Sequence, residues 1–367
     1  MKTWQKLKAS QQLKNNLKTR TQVIDAIRLF FKWQNYLEVE TPILVNAPST
    51  ESNIDFFQTR ISFIDNKKKQ AFLISSPEFA MKKLLSSYPV NMFQITKSFR
   101  NHEGISSTHN HEFTILEWYH VQADYTDVMV DFENLVKFIF GLIQGKLTLV
   151  YQQNKWQVKG FNQIRSVKLT YLDQEIDLTP PWERLSVKEA FETYADVDEE
   201  TLLDKIKLMQ KAVSKGYHQI TSWEEAFDQI LLNEVEPNLG QGRPTILYDY
   251  PIQLGAYAQA KKTDPRYAER FEVFINGLEL GNAFSEITDA KTQADVMDKD
   301  ANERQKLSKQ LLPIDKDFLV AMTQGLPKVA GIAVGIDRLV MLFTNTDKIE
   351  DVIMFPVKDM FISQTKK

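Results

Sequence analysis

The segment ERFEVFINGLELGNAFSEI (269–287) constrains the fold more than any other. Asn276-Gly277 stands between two apolar runs. Asn-Gly accepts the paired positive φ of a two-residue turn whose twist matches antiparallel strands. The spacing therefore predicts a hairpin. A second pair of strands is predicted at VNMFQITKSFR (90–100) and EFTILEWYHV (112–121), joined by the polar loop NHEGISSTHNH. The second run alternates, with Phe113, Ile115, Glu117 and Tyr119 on one face and Thr114, Leu116 and Trp118 on the other. PTILYDYP (244–251) reads as a further strand.

Helical spacing surrounds these strands. Val23, Ile27, Phe30 and Phe31 line one face of a long amphipathic helix that ends before Pro42. SPEFAMKKLLSSY (76–88) predicts a helix with Ser76 as N-cap and Pro77 in its first turn. Helices are also expected at 124–144 and from about 185 to 235. GIAVGIDRLVMLF changes from strand to helix period after Gly335. Helices and antiparallel strands without βαβ alternation make the class α+β, a mostly antiparallel sheet flanked by helices.

Residues 1–16 read as a polar arm, loosely docked to about residue 20, and 17–367 as one domain. The stretch 145–185, with Pro180-Pro181, is the least patterned and reads as a small insertion.

Composition removes several classes. The 367 residues contain no Cys, which excludes disulfides, thiolate metal sites and a Cys nucleophile. A net charge of -3 argues against a large basic surface for nucleic acid. No apolar run approaches the roughly 20 residues that span a bilayer. The basic N-terminus lacks the apolar core of a secretory signal. A cytoplasmic location with no membrane partner is expected.

Chemistry concentrates in three places. The 101–111 loop carries three of the five His, beside Arg100 and the Phe113/Glu117/Tyr119 face. His109-x-His111 has no third zinc ligand at a recognisable spacing. Glu279 and Glu286 are seven apart, so an uninterrupted strand would put them on opposite faces. A bulge at Gly281-Asn282 would bring both to one site, suited to Mg²⁺ beside phosphates. Finally, Gly331 and Gly335 lead into a helix start bearing Arg338, an arrangement suited to an anion.

In order along the chain, YLEVETPIL, FRN…HNHEFTILEWY and GIAVGIDRL resemble motifs 1, 2 and 3 of a class II aminoacyl-tRNA synthetase. LELGNAFSEITDA lies between the last two. The resemblance covers about 17–360 and is similar to the lysyl-type subgroup. Full lysyl-tRNA synthetases of that subgroup carry an N-terminal OB-fold anticodon domain, and none is expected here. The stand-alone branch, which lysylates translation elongation factor P, is similar at SSPEFAMKKLL, MFQITKSFRN, VEPNLG, AERFEV and ITDA. Ala333, where lysyl-tRNA synthetases usually have glycine, points to the same branch.

The resemblance implies roles. Arg100 would hold the α-phosphate of ATP and the amino-acid carboxylate, and Phe113 and Arg338 would sandwich the adenine. Glu279 and Glu286 would coordinate Mg²⁺, making Arg100, Arg338 and Glu279 the catalytic set. Asn101, His102, Glu103, Asn110, Leu280 and Gly335 would complete the nucleotide site. Ser76, Pro77, Glu78, Tyr119 and Glu286 would bind a lysine-like amino acid. The family reads Arg-x-Glu in motif 2. Here Arg100-Asn101-His102-Glu103 is one residue longer, which leaves Glu103 and His102 as rivals for the adenine amino group.

Three functions follow. One is activation of lysine or β-lysine for transfer to elongation factor P. Another is a truncated enzyme charging tRNA. The third is a non-catalytic paralogue that binds an amino acid or translation factor. The resemblance also implies a homodimer built on motif 1.

Overall fold

A computed structural model describes residues 2–361. The last six residues of the expected 17–367 domain, and Met1 of the expected arm, lie outside it. The centre is an eight-stranded sheet. Its strands are β1 (Leu37–Glu38), β2 (Met92–Phe99), β3 (Glu112–Val121), β4 (Glu183–Ser186), β5 (Thr245–Pro251), β6 (Tyr267–Ile275), β7 (Leu278–Ser285) and β8 (Val329–Gly335). Their order is β1-β2-β3-β8-β7-β6-β5-β4.

The six inner strands pair antiparallel, as the two hairpins require. Asn276 and Gly277 have φ of 49° and 70°, the pair that a two-residue hairpin turn needs. Both edges depart from the expected pattern: β1 runs parallel to β2, and β4 parallel to β5. The second edge is a crossover. Helices between 187 and 239 carry the chain from β4 to β5, a connection too long for a hairpin.

One face of the sheet is packed by the helices Gln11–Trp33 (α1), Tyr125–Ile143 (α2) and Ile336–Thr344 (α3). Leu116 and Trp118 point into this core, with Phe31 stacked 4.6 Å from Phe93. The opposite face is only partly covered. Glu78–Ser87 (α4), Ala290–Lys306 (α5) and Lys316–Gln324 (α6) close it around Phe79, Tyr119 and Phe318. Its open part holds the cavity described below.

Two boundaries move. After a single helical turn at Thr3–Lys6, α1 begins at Gln11, where Ser10 Oγ accepts from Leu13 N at 3.2 Å. Leu13 and Asn16 are buried, and Asn16 Nδ2 donates to Asp351 O at 3.1 Å. The docked helix therefore takes in residues expected in the arm, because amphipathic burial continues one turn past the polar-looking sequence. The stretch 145–185 forms two small hairpins, 148–159 and 168–177. Leu147, Ile164, Val167, Tyr171, Ile176 and Leu178 join the main core, so this stretch is built into the domain rather than appended.

Candidate active site

The cavity opens on the sheet face that carries Phe113, Ile115, Glu117 and Tyr119. Alternation along β3 sends these four residues away from the helical core. Pairing sets their neighbours: Tyr119 lies opposite Gly331 and Glu117 opposite Ala333 on β8. A Cβ at Gly331 would stand 2.5 Å from Tyr119 and 2.7 Å from a Glu286 oxygen. Only glycine leaves room there for both side chains.

At one end the wall is made of guanidinium and aromatic groups. Arg100 ends β2 and lies 5.5 Å from the centre of the Phe113 ring. Arg338, in the first turn of α3, is held by three groups. It donates to the Glu279 carbonyl at 2.7 Å, pairs with the Glu279 carboxylate at 3.3 Å and meets His109 Nε2 at 2.9 Å. Burial and the nearby Arg338 charge lower the His109 pKa, so its ring is neutral and accepts from Arg338. Asp337, beside Arg338, is fixed by Arg20 at 2.6 Å and by Thr114 N at 2.8 Å. Helix α1, β3 and α3 are thus tied at one carboxylate.

The motif 2 loop gives His102 and Glu103 different surroundings. His102 takes φ 55° and turns outward, its side chain 79% exposed. Glu103 lines the cavity, 3.6 Å from His109 Nε2. His102 forms a left-handed kink, a conformation that His tolerates better than branched residues. Asn101 is held in a bridge with Asp55, and neither it nor His102 lines the cavity wall. Asn110, Leu280 and Gly335 do line it.

The other end is crowded with carboxylates. Ser76 Oγ accepts from Glu78 N at 3.0 Å, though the helix itself begins at Glu78 rather than at Pro77. The same hydroxyl donates to Glu117 at 2.6 Å, and Tyr119 OH donates to its other oxygen at 2.7 Å. Burial and the Glu78 charge push the Glu117 carboxyl up to about 8. Pro77 is buried outside this cavity, against a smaller neighbouring pocket.

Glu279 and Glu286 both line the cavity. The irregularity that permits this is at Leu280: Val273 pairs with Gly281 and Phe274 with Glu279, so Leu280 is the extra residue. The bulge falls one position before the expected Gly281-Asn282. The two carboxylates nevertheless have different surroundings. Glu279 faces Arg338, whereas Glu286 pairs with Lys82 at 2.5 Å. Lys82 also pairs with Glu78 at 2.6 Å. Burial alone would lower the Lys82 ammonium, but Glu286 and Glu78 outweigh it and hold the pKa above the usual lysine range.

Among the described residues, no group of three or more His, Asp or Glu side chains is gathered to hold a metal. Mg²⁺ does not require such a cage, since it keeps waters and takes one or two carboxylates plus substrate phosphates. Glu279 fits that donor set. His109 Nε2 is engaged with Arg338 at 2.9 Å.

Sequence reasoning left Glu51, Lys82 and Asn282 out of the site. Lys82 had a legible signal, because it stands four residues after Glu78 on one helix. Glu51 and Asn282 had none.

Known proteins resemble this chain over most of its length. A family model described as tRNA synthetases class II (D, K and N) matches residues 2–359. The lysine–tRNA ligase of Pelotomaculum thermopropionicum is 33% identical over 350 residues, covering 94% of this chain and 64% of the relative. That of Dehalococcoides mccartyi (strain 195) is 35% identical over 341 residues, 92% and 63% respectively. The elongation factor P–(R)-β-lysine ligase of Proteus mirabilis is 34% identical over 349 residues, 93% of this chain and 95% of the relative. The chain thus spans under two thirds of the lysine–tRNA ligases it matches.

Proposed function

The chain belongs to the class II tRNA synthetases of the D, K and N group, and from that premise we propose that it activates lysine or β-lysine with ATP and transfers the acyl group to a lysine of translation elongation factor P. The observation that carries this reading is the polarity of one cavity. Arg100, Phe113 and Arg338 suit a nucleotide at one end, and Glu78, Glu117 and Tyr119 suit an ammonium at the other.

In the first step the substrate carboxylate attacks the α-phosphorus in line and pyrophosphate leaves. Arg100 binds the carboxylate and the α-phosphate, neutralising both partners of an otherwise repulsive approach. Phe113 and Arg338 take opposite faces of the adenine, with Glu103 for its amino group. Glu279 would hold Mg²⁺, with Glu286 as the further carboxylate of the set, and the ion would supply charge neutralisation on the leaving phosphates. In the second step the acceptor amine attacks the acyl carbon, AMP leaves, and the ammonium proton is lost to solvent. Neither step needs a protein nucleophile.

The acceptor reading is supported by the Proteus mirabilis ligase, whose similarity takes in 95% of its own length. Ala333 in the cavity wall opposite Glu117 is the second support. A homodimer is part of the proposal. Leu37, Ile43, Leu44, Ile61 and Ile64 are all exposed around motif 1 and the small sheet beside it, Ile64 fully so. Burying them against a second copy removes an unpartnered apolar surface. Among the described residues no helix is long and apolar enough to cross a membrane. The cytoplasm, with the translation machinery, is the location that suits the acceptor.

ATP–pyrophosphate exchange with a panel of amino acids tests activation, and exchange with none of them would sink it. Transfer to tRNA but not to elongation factor P would replace the acceptor. A monomer by sedimentation at micromolar concentration would remove the dimer.

A further inference from the structure

The ion pairs of the cavity leave Glu103 over at the Arg338 end, beside the neutral His109, and two carboxylates over elsewhere. Glu279 is paired with Arg338, Glu78 and Glu286 share Lys82, and Asp337 is paired with Arg20. Among the described residues, Glu51 and Glu117 have no cation within 4.0 Å, yet both line the cavity. A partly buried carboxylate without a cation carries an unpaid desolvation cost, which a ligand ammonium relieves.

The two differ in position. Glu117 is held at the far end by Ser76 and Tyr119. Glu51 lies within electrostatic reach of both Glu78 and Arg100, close to where the reacting carboxylate is bound.

Glu51 is also a built feature rather than a loop side chain at rest. Thr50 is fastened by Tyr257 OH to its backbone N–H at 3.2 Å and by Asp300 to its hydroxyl at 3.1 Å. Arg304, itself buried, donates to the carbonyls of Glu51 at 2.9 Å and Ile54 at 2.7 Å. Ser49 Oγ then donates to the Glu51 carboxylate at 2.9 Å. The backbone is pinned on both sides of the residue, so the direction of its side chain is set by the α5 side of the domain.

We propose that Glu51, together with Glu78, holds the ammonium nearest the reacting carboxylate, leaving Glu117 for the distant ammonium, so that the cavity selects diamino carboxylic acids by matching two unpaired carboxylates to two charges. The inference rests on the amino-acid-activating reading and names the residue that makes it specific.

The test compares the full-length protein with its Glu51→Gln variant. The readouts are KM for lysine and for β-lysine in ATP–pyrophosphate exchange, KM for ATP, and the inhibition constant of 6-aminohexanoic acid, which lacks the near ammonium. Glu51→Gln is expected to raise KM for the better diamino substrate by about tenfold or more. KM for ATP and the inhibition constant of 6-aminohexanoic acid should stay within about twofold. An unchanged KM for the diamino acid would overturn the assignment. So would a parallel rise in all three constants, which is what a merely structural residue gives. Should Glu51→Gln fail to fold, Ser49→Ala removes only the hydroxyl that orients the carboxylate and is judged by the same ratio. Absence of exchange in the unaltered protein, by contrast, would reject activation itself rather than the role of Glu51.

Discussion

The two ends of the cavity solve opposite electrostatic problems. At the end proposed for the nucleotide, cations and an aromatic ring sit on strand ends and an exposed loop, with Arg100 largely exposed. At the end proposed for the amino acid, carboxylates are sunk beside Tyr119, Phe79 and Tyr257, and a buried lysine balances only part of their charge. A polyphosphate is large and strongly charged, so a partly hydrated site with a few guanidinium groups suffices. An ammonium is small and well hydrated, and is recognised only where desolvated carboxylates replace its water. Mutations should therefore act on rate at the first end and on substrate affinity at the second.

The strongest way to break this contrast is Arg100→Ala. It should reduce the exchange rate by about 10²–10³-fold with the fold retained, as expected when charge stabilisation is lost at the reacting phosphate. Full activity in that variant would refute the nucleotide assignment. At the other end, Glu117→Gln should raise KM for the diamino substrate by about 10²-fold, because one partner of a buried charge pair is neutralised. KM for ATP should barely move. If both constants rose together, the two ends would not be separable.

Gly331→Ala probes the close packing between them. A methyl group there meets Tyr119 and Glu286, and overpacking of this kind costs about 1–3 kcal/mol, measurable as a lowered thermal midpoint. Wild-type stability with normal KM would mean that Tyr119 moves freely.

The pH dependence sharpens the contrast further. Burial and the Glu78 charge push Glu51 up to about 7 and Glu117 up to about 8. A substrate ammonium binds the ionised forms. Hence KM for the amino acid should fall as pH rises from about 6 to 8, by at most about tenfold per unit for each group, while KM for ATP stays nearly flat. The free protein should do the reverse in stability. Unfolded glutamates ionise near pH 4.5, whereas the folded ones still hold protons up to about 7 and 8. Stability is therefore full below about 4.5 and declines as pH rises through that window. Denaturant titrations at several pH values check this, and a flat profile would contradict the buried-carboxylate account.

The smallest expected effect lies outside the cavity. Ser10→Ala removes the cap of α1 and should cost about 1 kcal/mol without altering either KM. A change in KM would mean that the Arg20–Asp337 tie transmits helix position into the site.

Much of this was legible in the chain. Alternation in 112–121 separated the cavity face from the core face correctly, because period-two geometry is local. Asn276-Gly277 announced its hairpin for the same reason. The edges of the sheet were not legible: β1 and β4 each have few residues, and parallel pairing depends on a crossover rather than on any local pattern. The start of α1 was missed because its first two turns are polar on most faces, and burial there depends on the distant Asp351 carbonyl.

By itself the sequence determined most of the element types, the order of the three motifs and most of the residues that line the Arg100–Arg338 end of the cavity. Those follow from spacing and side-chain chemistry along one segment. The tertiary structure alone decided three things. It put Glu103 in the cavity wall and turned His102 outward, through a left-handed kink at His102. It brought Glu279 and Glu286 to one face by a bulge at Leu280. It left Glu51 and Glu117 without cations while giving Glu286 the ammonium of Lys82. Each depends on what stands opposite in space, and burial and charge pairing are set by neighbours as far off as Arg304 is from Glu51, 253 residues along the chain.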